Sequence, residues 1–375
     1  ALKCFRQMKD AGVCPNMVTY ICALKACSIT LSLEIGEEIH AEARNTDLLQ
    51  RNIMFDTALI DMYAKCGALE KARDVFDHLP KQNVVSWTAL IGGYVQHGFG
   101  NEALKCFKEM KDEGISPNAV TYTCILQACA IVGCLDIGKD IDVEVRNKGL
   151  LQKEIVLGTA LVDMYAKCGA LVKAREIFEQ LPIRNIVVWN ALITGYVQHG
   201  HSNEALKCFK KMKDEKVSAN TITYTSILRA CSIVGSMEIG EGVEAEIRKQ
   251  GLLQKDILLG TTLVDMYAKC GMLEKGREIF KQLPVQDVVS WTSLMAGYAQ
   301  LGQAKRVLEL FEEMKEASTM PNTVTFLVLL TTCSHAGLLE EGQNLFDDMS
   351  RVYGLNPTLE HYTCMIDLFG RAGHF

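Results

Sequence analysis

The nonapeptide LVDMYAKCG occupies residues 161–169 and 263–271, and LIDMYAKCG occupies 59–67, so the same text returns every 102 residues. A strict period constrains the fold more than any single motif, because each copy has to be one structural unit packed against its neighbours. The period divides into unequal units of 35, 36 and 31 residues. Units of 35 residues run 84–118, 186–220 and 288–322; those of 36 run 17–52, 119–154, 221–256 and 323–358; those of 31 run 53–83, 155–185 and 257–287. Residues 1–16 read as a partial unit of the first kind, and residues from 359 as a truncated unit of the third. The text begins and ends in mid-pattern, as a fragment would.

Each unit reads as two helices. In 84–118 the apolar residues Val85, Leu90, Ile91, Tyr94 and Val95 recur at helical spacing, QHGFGN interrupts, and a second stripe of Ala103, Leu104, Phe107 and Met110 follows. Asn101, followed by Glu102, is placed to cap the second helix. In the 31-residue units the second helix is expected to stop at Pro80, Pro182 or Pro284. A lone hairpin cannot bury both of its stripes, whereas stacked hairpins can. The expected fold is all-α, a right-handed α-solenoid (superhelix) of about ten stacked helix-turn-helix hairpins in one continuous repeat domain. A globular helical bundle is the alternative, and strict periodicity disfavours it.

Composition removes several partners. A net charge of −6 supplies no global basic field for nucleic acid or membrane. No run of ~18 apolar residues offers a spanning segment, so no membrane partner is expected. Fifteen cysteines are an odd number and no signal peptide is visible. Most, such as Cys22, Cys27, Cys124, Cys129 and Cys231, sit in apolar helical text as small hydrophobes. A reducing compartment is the plain reading.

The stretches VVSWTALIGGYVQHG, ILQACAIVGCLDIGKDI and LVDMYAKCGALVKAREIFEQLP, in units of 35, 36 and 31 residues, resemble plant pentatricopeptide repeat (PPR) proteins of the PLS subclass. The three lengths correspond to that subclass's P-type, long and short repeats, and the resemblance covers essentially the whole chain. The closing text, TCSHAGLLEEG and then LEHYTCMIDLFGRAGHF, resembles the last repeats before the C-terminal E/DYW-type extension. Tetratricopeptide repeats keep a uniform period of about 34 residues, which the alternation here excludes.

The resemblance implies sequence-specific binding of single-stranded RNA, one base per P- or short-type repeat. Unpaired bases expose their pairing edges, so a few side chains per repeat can discriminate them. In the family the fifth and last residues of a repeat read the base, and the second clamps it. Carried onto this chain, the reading pairs are Thr57 with Asn83, Thr88 with Asn118, Thr159 with Asn185, Asn190 with Asn220, Thr261 with Asp287, and Thr292 with Asn322. The clamps are Met54, Val85, Val156, Val187, Leu258 and Val289. Thr with Asn resembles an adenine code, Thr with Asp a guanine code, and Asn with Asn a pyrimidine code. A carboxylate suits the N–H donors of guanine, while an amide can match the donor and acceptor of adenine. The long units carry Ile21 with Asn52, Thr123 with Glu154, Thr225 with Asp256, and Leu327 with Thr358, which depart from the code; Ile21 and Leu327 have no side-chain hydrogen-bonding group, so their repeats are expected to act as spacers. The implied target is 5′-A-A-n-A-Y-n-G-A-n.

By the same resemblance the chain is a site-specificity factor for cytidine-to-uridine RNA editing in the mitochondrion or chloroplast. The fragment itself is expected to be no enzyme and to need no cofactor; a deaminase, in cis or in trans, or other editing-complex proteins would supply the chemistry. An RNA stability, splicing or processing factor is the alternative within RNA biology. A peptide-binding interaction solenoid is the alternative from another class.

Other constellations have plainer readings. HAE at 40–42 matches half of a zinc-deaminase signature, but its P-C-x-x-C half is absent, so His40 reads as an ordinary surface-helix residue. His97 and His199 stand at first-helix ends where the third copy has Leu301, which suits solvation or helix-dipole compensation; His335 reads the same way. Trp87, Trp189 and Trp291 each precede a reading residue, and packing inside the hairpins is expected rather than stacking on bases. Runs such as KEMKDEG and KKMKDEK are expected to form a solvated convex face.

Overall fold

A computed structural model of the chain describes residues 1–44, 52–151 and 154–372. Parts of the first two 36-residue units and the last three residues lie outside that range. Twenty-two α-helices and no strand occur among the described residues. Contacts divide the chain into two compact units, Ala1–Gly195 and Tyr196–Phe375.

The first unit opens with α1 (Leu2–Asp10) and continues in hairpins: α2 (Met17–Thr30) with α3 (Leu33–Arg44), then α4 (Ile53–Lys65) with α5 (Leu69–Asp77). Next come α6 (Val84–Gln96) with α7 (Gly100–Asp112), α8 (Ala119–Val132) with α9 (Leu135–Asn147), and α10 (Ile155–Lys167) with α11 (Leu171–Gln180). The unit boundary falls inside α12 (Ile186–Gln198). The second unit holds α13 (Ser202–Asp214), α14 (Thr221–Val234) with α15 (Met237–Lys249), and α16 (Ile257–Lys269) with α17 (Leu273–Gln282). It ends with α18 (Val288–Gln300) and α19 (Ala304–Glu316), α20 (Thr323–Ala336) and α21 (Leu339–Arg351), and α22 (Leu359–Arg371).

Each unit is a solenoidal stack. In the first, α2, α4, α6, α8 and α10 pack side by side in sequence, and each packs on its own second helix. In the second, α14, α16, α18, α20 and α22 also pack side by side, and α14, α16, α18 and α20 each pack on their own second helix. Close approach of first helices is written into the sequence: a Cβ on Gly93 of α6 would lie 2.3 Å from the Cβ of Ala64 on α4. The short-repeat nonapeptide is the end of a first helix. Leu161, Val162 and Tyr165 are buried, and Gly169, at φ 79°, closes α10. Its N–H donates to Ala166 O and that of Ala170 donates to Tyr165 O, the two hydrogen bonds of a Schellman turn.

The three tryptophans are core residues. Trp87, Trp189 and Trp291 lie edge-on against Phe76, Phe178 and Phe280, with ring centroids 4.4, 4.6 and 4.6 Å apart. Each of these contacts joins a short unit's second helix to the next unit's first helix.

Several local readings need correction. Asn101 is not a cap: α7 starts at Gly100 with Phe99 at the N-cap. Phe99 N–H also closes α6 by donating to Tyr94 O, so one residue ends one helix and starts the next, and the start moves ahead of Asn101. His40 is more than a surface residue, because its Nδ1 lies 2.8 Å from the Tyr63 hydroxyl. In the corresponding places Tyr165 donates to Asp142 at 3.0 Å, and Tyr267 donates to Glu244. His97 Nε2 donates to Ala64 O at 2.9 Å and so ties two repeats together. Cys22 is exposed, unlike the buried Cys27, Cys129 and Cys231. The charged second-helix runs also pair across repeats, with Lys111 on Glu144 and Lys213 on Glu246.

Candidate nucleic-acid interface

The last residue of a repeat sits directly before a first helix, where the initial N–H groups have no partner within the helix. That position selects Asn or Asp for capping before any other role is considered. Asn83 Oδ1 accepts from the N–H groups of Val85 (2.8 Å) and Ser86 (3.0 Å). Asn185 accepts from Val187 and Val188 at 3.0 and 3.2 Å. Asn118, Asn220 and Asn322 each accept from the threonine three residues on, through both its N–H and its hydroxyl. Asp287 Oδ1 accepts from Ser290 N–H at 2.8 Å. In each case one side-chain oxygen is committed to the helix. Asn83, Asn118, Asn185 and Asn322 keep an NH₂ group to donate, and Asp287 keeps Oδ2 to accept.

The fifth residues stand one turn into their first helices. Thr57, Thr88, Thr159 and Thr292 donate their hydroxyls to the carbonyl four residues back, at 2.6, 2.6, 3.0 and 2.7 Å. With the proton turned inward, each oxygen keeps acceptor capacity. Thr57, Thr88 and Thr159 are half-buried, whereas Asn190, Thr261 and Thr292 are buried. Thr261 and Asp287 meet directly, at 3.5 Å. Asn190 and Asn220 fall in different units of the chain.

The clamp residues stand out. Met54, Val85, Val156, Val187, Leu258 and Val289 are between 53% and 71% exposed, although all are aliphatic and helical. The motif pattern passes over four more of the same kind, Val18, Val120, Ile222 and Val324, which are just as exposed at the second position of the long units. Their place in the repeat was the available signal. In the first unit the predicted residues converge: Thr57, Asn83, Thr88 and Asn118, with Met54 and Val85, line one cavity of about 720 Å³. Ile21 of the preceding long repeat lines it too, alongside Lys25, Asp61 and Lys65.

Three lysines of the first helices pair with an aspartate one turn earlier. Lys65 lies 2.9 Å from Asp61, and the equivalent Lys167–Asp163 and Lys269–Asp265 pairs measure 2.8 and 2.9 Å. Among the described residues no three His, Cys, Asp or Glu side chains come together as a metal site. No described helix is long and apolar enough to cross a membrane.

A PPR repeat family model matches residues 82–131, 184–232 and 286–335, and a PPR repeat model matches 57–84, 159–186, 261–288 and 324–352. A pentatricopeptide repeat-containing protein of Arabidopsis thaliana is 36% identical over 387 residues, covering 100% of this chain and 67% of that protein. The chain belongs to the pentatricopeptide repeat family. Two further Arabidopsis PPR proteins, one named chloroplastic and one mitochondrial, are each 37% identical. The PPR chain described here spans 46% and 58% of their lengths. Among solved structures, the crystal structure of the pentatricopeptide repeat protein PPR10 in complex with an 18-nt psaJ RNA element matches with a TM-score of 0.73 and 18% identity. The match covers 94% of this chain and 58% of that one, and it establishes a shared fold.

Proposed function

We propose that this PPR chain binds single-stranded RNA in a sequence-specific way along the layer of first helices. The observation that carries the reading is the first-unit cavity, where two polar pairs, Thr57/Asn83 and Thr88/Asn118, stand beside exposed Met54 and Val85. An apolar side chain there can cover a base face while a hydroxyl and an amide meet its edge. Capping leaves Asn83, Asn118, Asn185 and Asn322 a donor and Asp287 an acceptor, which supports adenine opposite the Thr/Asn pairs and guanine opposite Thr261/Asp287. The target of this reading is 5′-A-A-n-A-Y-n-G-A-n, with n at the uncoded long repeats and the repeats assigned to the PLS subclass. Chloroplastic and mitochondrial relatives support an organellar location. Within the organelle we assign the chain to site selection for cytidine-to-uridine editing.

Titrating the chain with the matched RNA and with a set in which each coded base is replaced in turn tests the binding reading. Equal affinity for matched and scrambled RNAs defeats it. Transcriptome-wide editing analysis after loss of the gene tests the biological role; unchanged editing with altered transcript ends points to processing instead.

A further inference from the structure

We propose that Thr121 and Thr325 are positioning residues that couple the two reading side chains of a P-type repeat into one hydrogen-bonding unit. The proposal rests on the RNA-reading assignment above. Both threonines are fully buried, so they act through their neighbours and not by touching RNA.

At the first site, Thr88 Oγ1 lies 2.7 Å from Thr121 Oγ1, and Thr121 Oγ1 lies 3.0 Å from Asn118 Oδ1. The fifth residue of the repeat at 84–118 is thus joined to its last residue through the third residue of the following repeat. The second unit repeats the arrangement: Thr292 lies 2.9 Å from Thr325, which lies 3.1 Å from Asn322 Oδ1.

Counting protons shows what the bridge does. Three short contacts converge here: Thr88 to Val84 O (2.6 Å), Thr88 to Thr121, and Thr121 to Asn118. Two hydroxyls supply two protons, so one of the three contacts always lacks a donor. When Thr121 donates to Asn118, Thr88 can fill the middle contact only by turning its proton away from Val84. When Thr121 donates to Thr88, Asn118 Oδ1 still accepts the Thr121 N–H at 2.8 Å and regains a free lone pair. A base acceptor that draws out the Thr88 proton is therefore compensated from Thr121, and the hydrogen-bonding state of Asn118 shifts with it.

Short-type sites use the third residue differently. Ser86 Oγ donates to Asn83 O and accepts from Asn83 N–H, both at 3.0 Å, and Ser290 Oγ donates to Asp287 O at 2.8 Å. Thr121 and Thr325 also accept from the cap's N–H, at 3.3 Å, but the serines give their proton to the cap's own carbonyl. The bridge through a buried hydroxyl is seen at the P-type sites 84–118 and 288–322.

The experiment uses the full chain with Thr121→Val and Thr121→Ser, and RNAs varied at the second coded base, with the first coded base as internal control. Valine keeps the shape and removes the hydroxyl. The expected result is a loss of about three- to tenfold in discrimination for adenine at the second base alone, with serine retaining wild-type discrimination. Thr325→Val should do the same at the eighth base. If wild type discriminates and the valine variants discriminate equally well, the coupling is wrong while the RNA reading stands. If wild type itself shows no preference at these bases, the reading fails and takes the coupling with it. Loss of the folded helical signal in both valine variants also overturns the proposal, by showing a purely structural hydroxyl.

Discussion

Thr261 Oγ1 lies 3.5 Å from Asp287 Oδ1, the same oxygen that accepts the backbone N–H of Ser290 at 2.8 Å. The two predicted reading residues of this short repeat are therefore in direct contact, and Oδ2 remains to accept. Replacing Asp287 by Asn keeps an N-cap of nearly equal quality and exchanges that acceptor for a donor. The preference at the seventh base should switch from guanine to adenine, by on the order of tenfold or more, with the melting temperature close to wild type. Competition binding with RNAs differing only at that base checks it. An unchanged preference would mean that Asp287 serves as a cap alone.

Val85 and Leu90 lie on one helix and should respond oppositely. Val85 is 57% exposed and Leu90 is fully buried. Val85→Ala should change stability by no more than about 0.5 kcal/mol, yet weaken RNA binding whichever base occupies the second position. Leu90→Ala should cost about 2–5 kcal/mol of stability. Paired denaturant melts and RNA titrations separate the two effects. Base-dependent weakening in Val85→Ala would contradict a clamp role.

How much of this was legible follows from the range of each interaction. The period and the helical stripes are local in sequence, so the hairpins were readable. The caps at Asn83, Asn118 and Asp287 went unnamed in the sequence, although Asn or Asp immediately before a helical stripe has one dominant local use. Contacts between repeats were not readable. The Thr88–Thr121 bridge and the His97–Ala64 bond each span 33 residues, and His40–Tyr63 spans 23. Nothing within one unit shows which side chain of the next unit will meet it. Asn101 was misread for a related reason, because the turn it follows is shared by two helix ends and fixed by Phe99.

The tryptophans separate packing from base stacking. All three are buried against a phenylalanine of the preceding repeat. Their emission should be blue-shifted in the native chain, and matched RNA should leave its intensity nearly unchanged. Trp87→Ala should cost about 3–5 kcal/mol. Strong quenching on RNA addition, lost in Trp87→Ala, would place that ring on a base instead.

Thiol reactivity should follow burial. Cys4, Cys14 and Cys22 are exposed, while burial pushes the Cys129 and Cys231 thiols up to about 12. Thiolate is the reactive form, so an aromatic disulfide reagent at pH 8 should modify the exposed three quickly. Cys129 and Cys231 should react only on unfolding. Peptide mapping after a short pulse identifies the sites, and early labelling of Cys129 would show that α8 opens readily.

The knot around Glu144 sets an acid limit on stability. Glu144 accepts from the Tyr122 hydroxyl at 2.7 Å and pairs with Lys111, while Lys148 donates to the same tyrosine at 2.7 Å. Burial works to raise the Glu144 carboxyl, but Lys111 and Tyr122 together outweigh it and hold the group below its usual range. A carboxyl depressed on folding stabilises the native state above its unfolded pKa of about 4.3, and that contribution is lost as pH falls through the lower folded value. Tyr122 has the opposite sign: burial, and then Glu144, raise its hydroxyl. Its contribution is complete below about pH 10 and falls only as alkali ionises it. Urea midpoints should therefore be level between about pH 6 and 9 and drop towards pH 3. Glu144→Gln should start lower at pH 6 and show a shallower acid drop, because its amide has no proton to gain. An acid drop as steep as that of wild type would assign the acid sensitivity to other carboxylates.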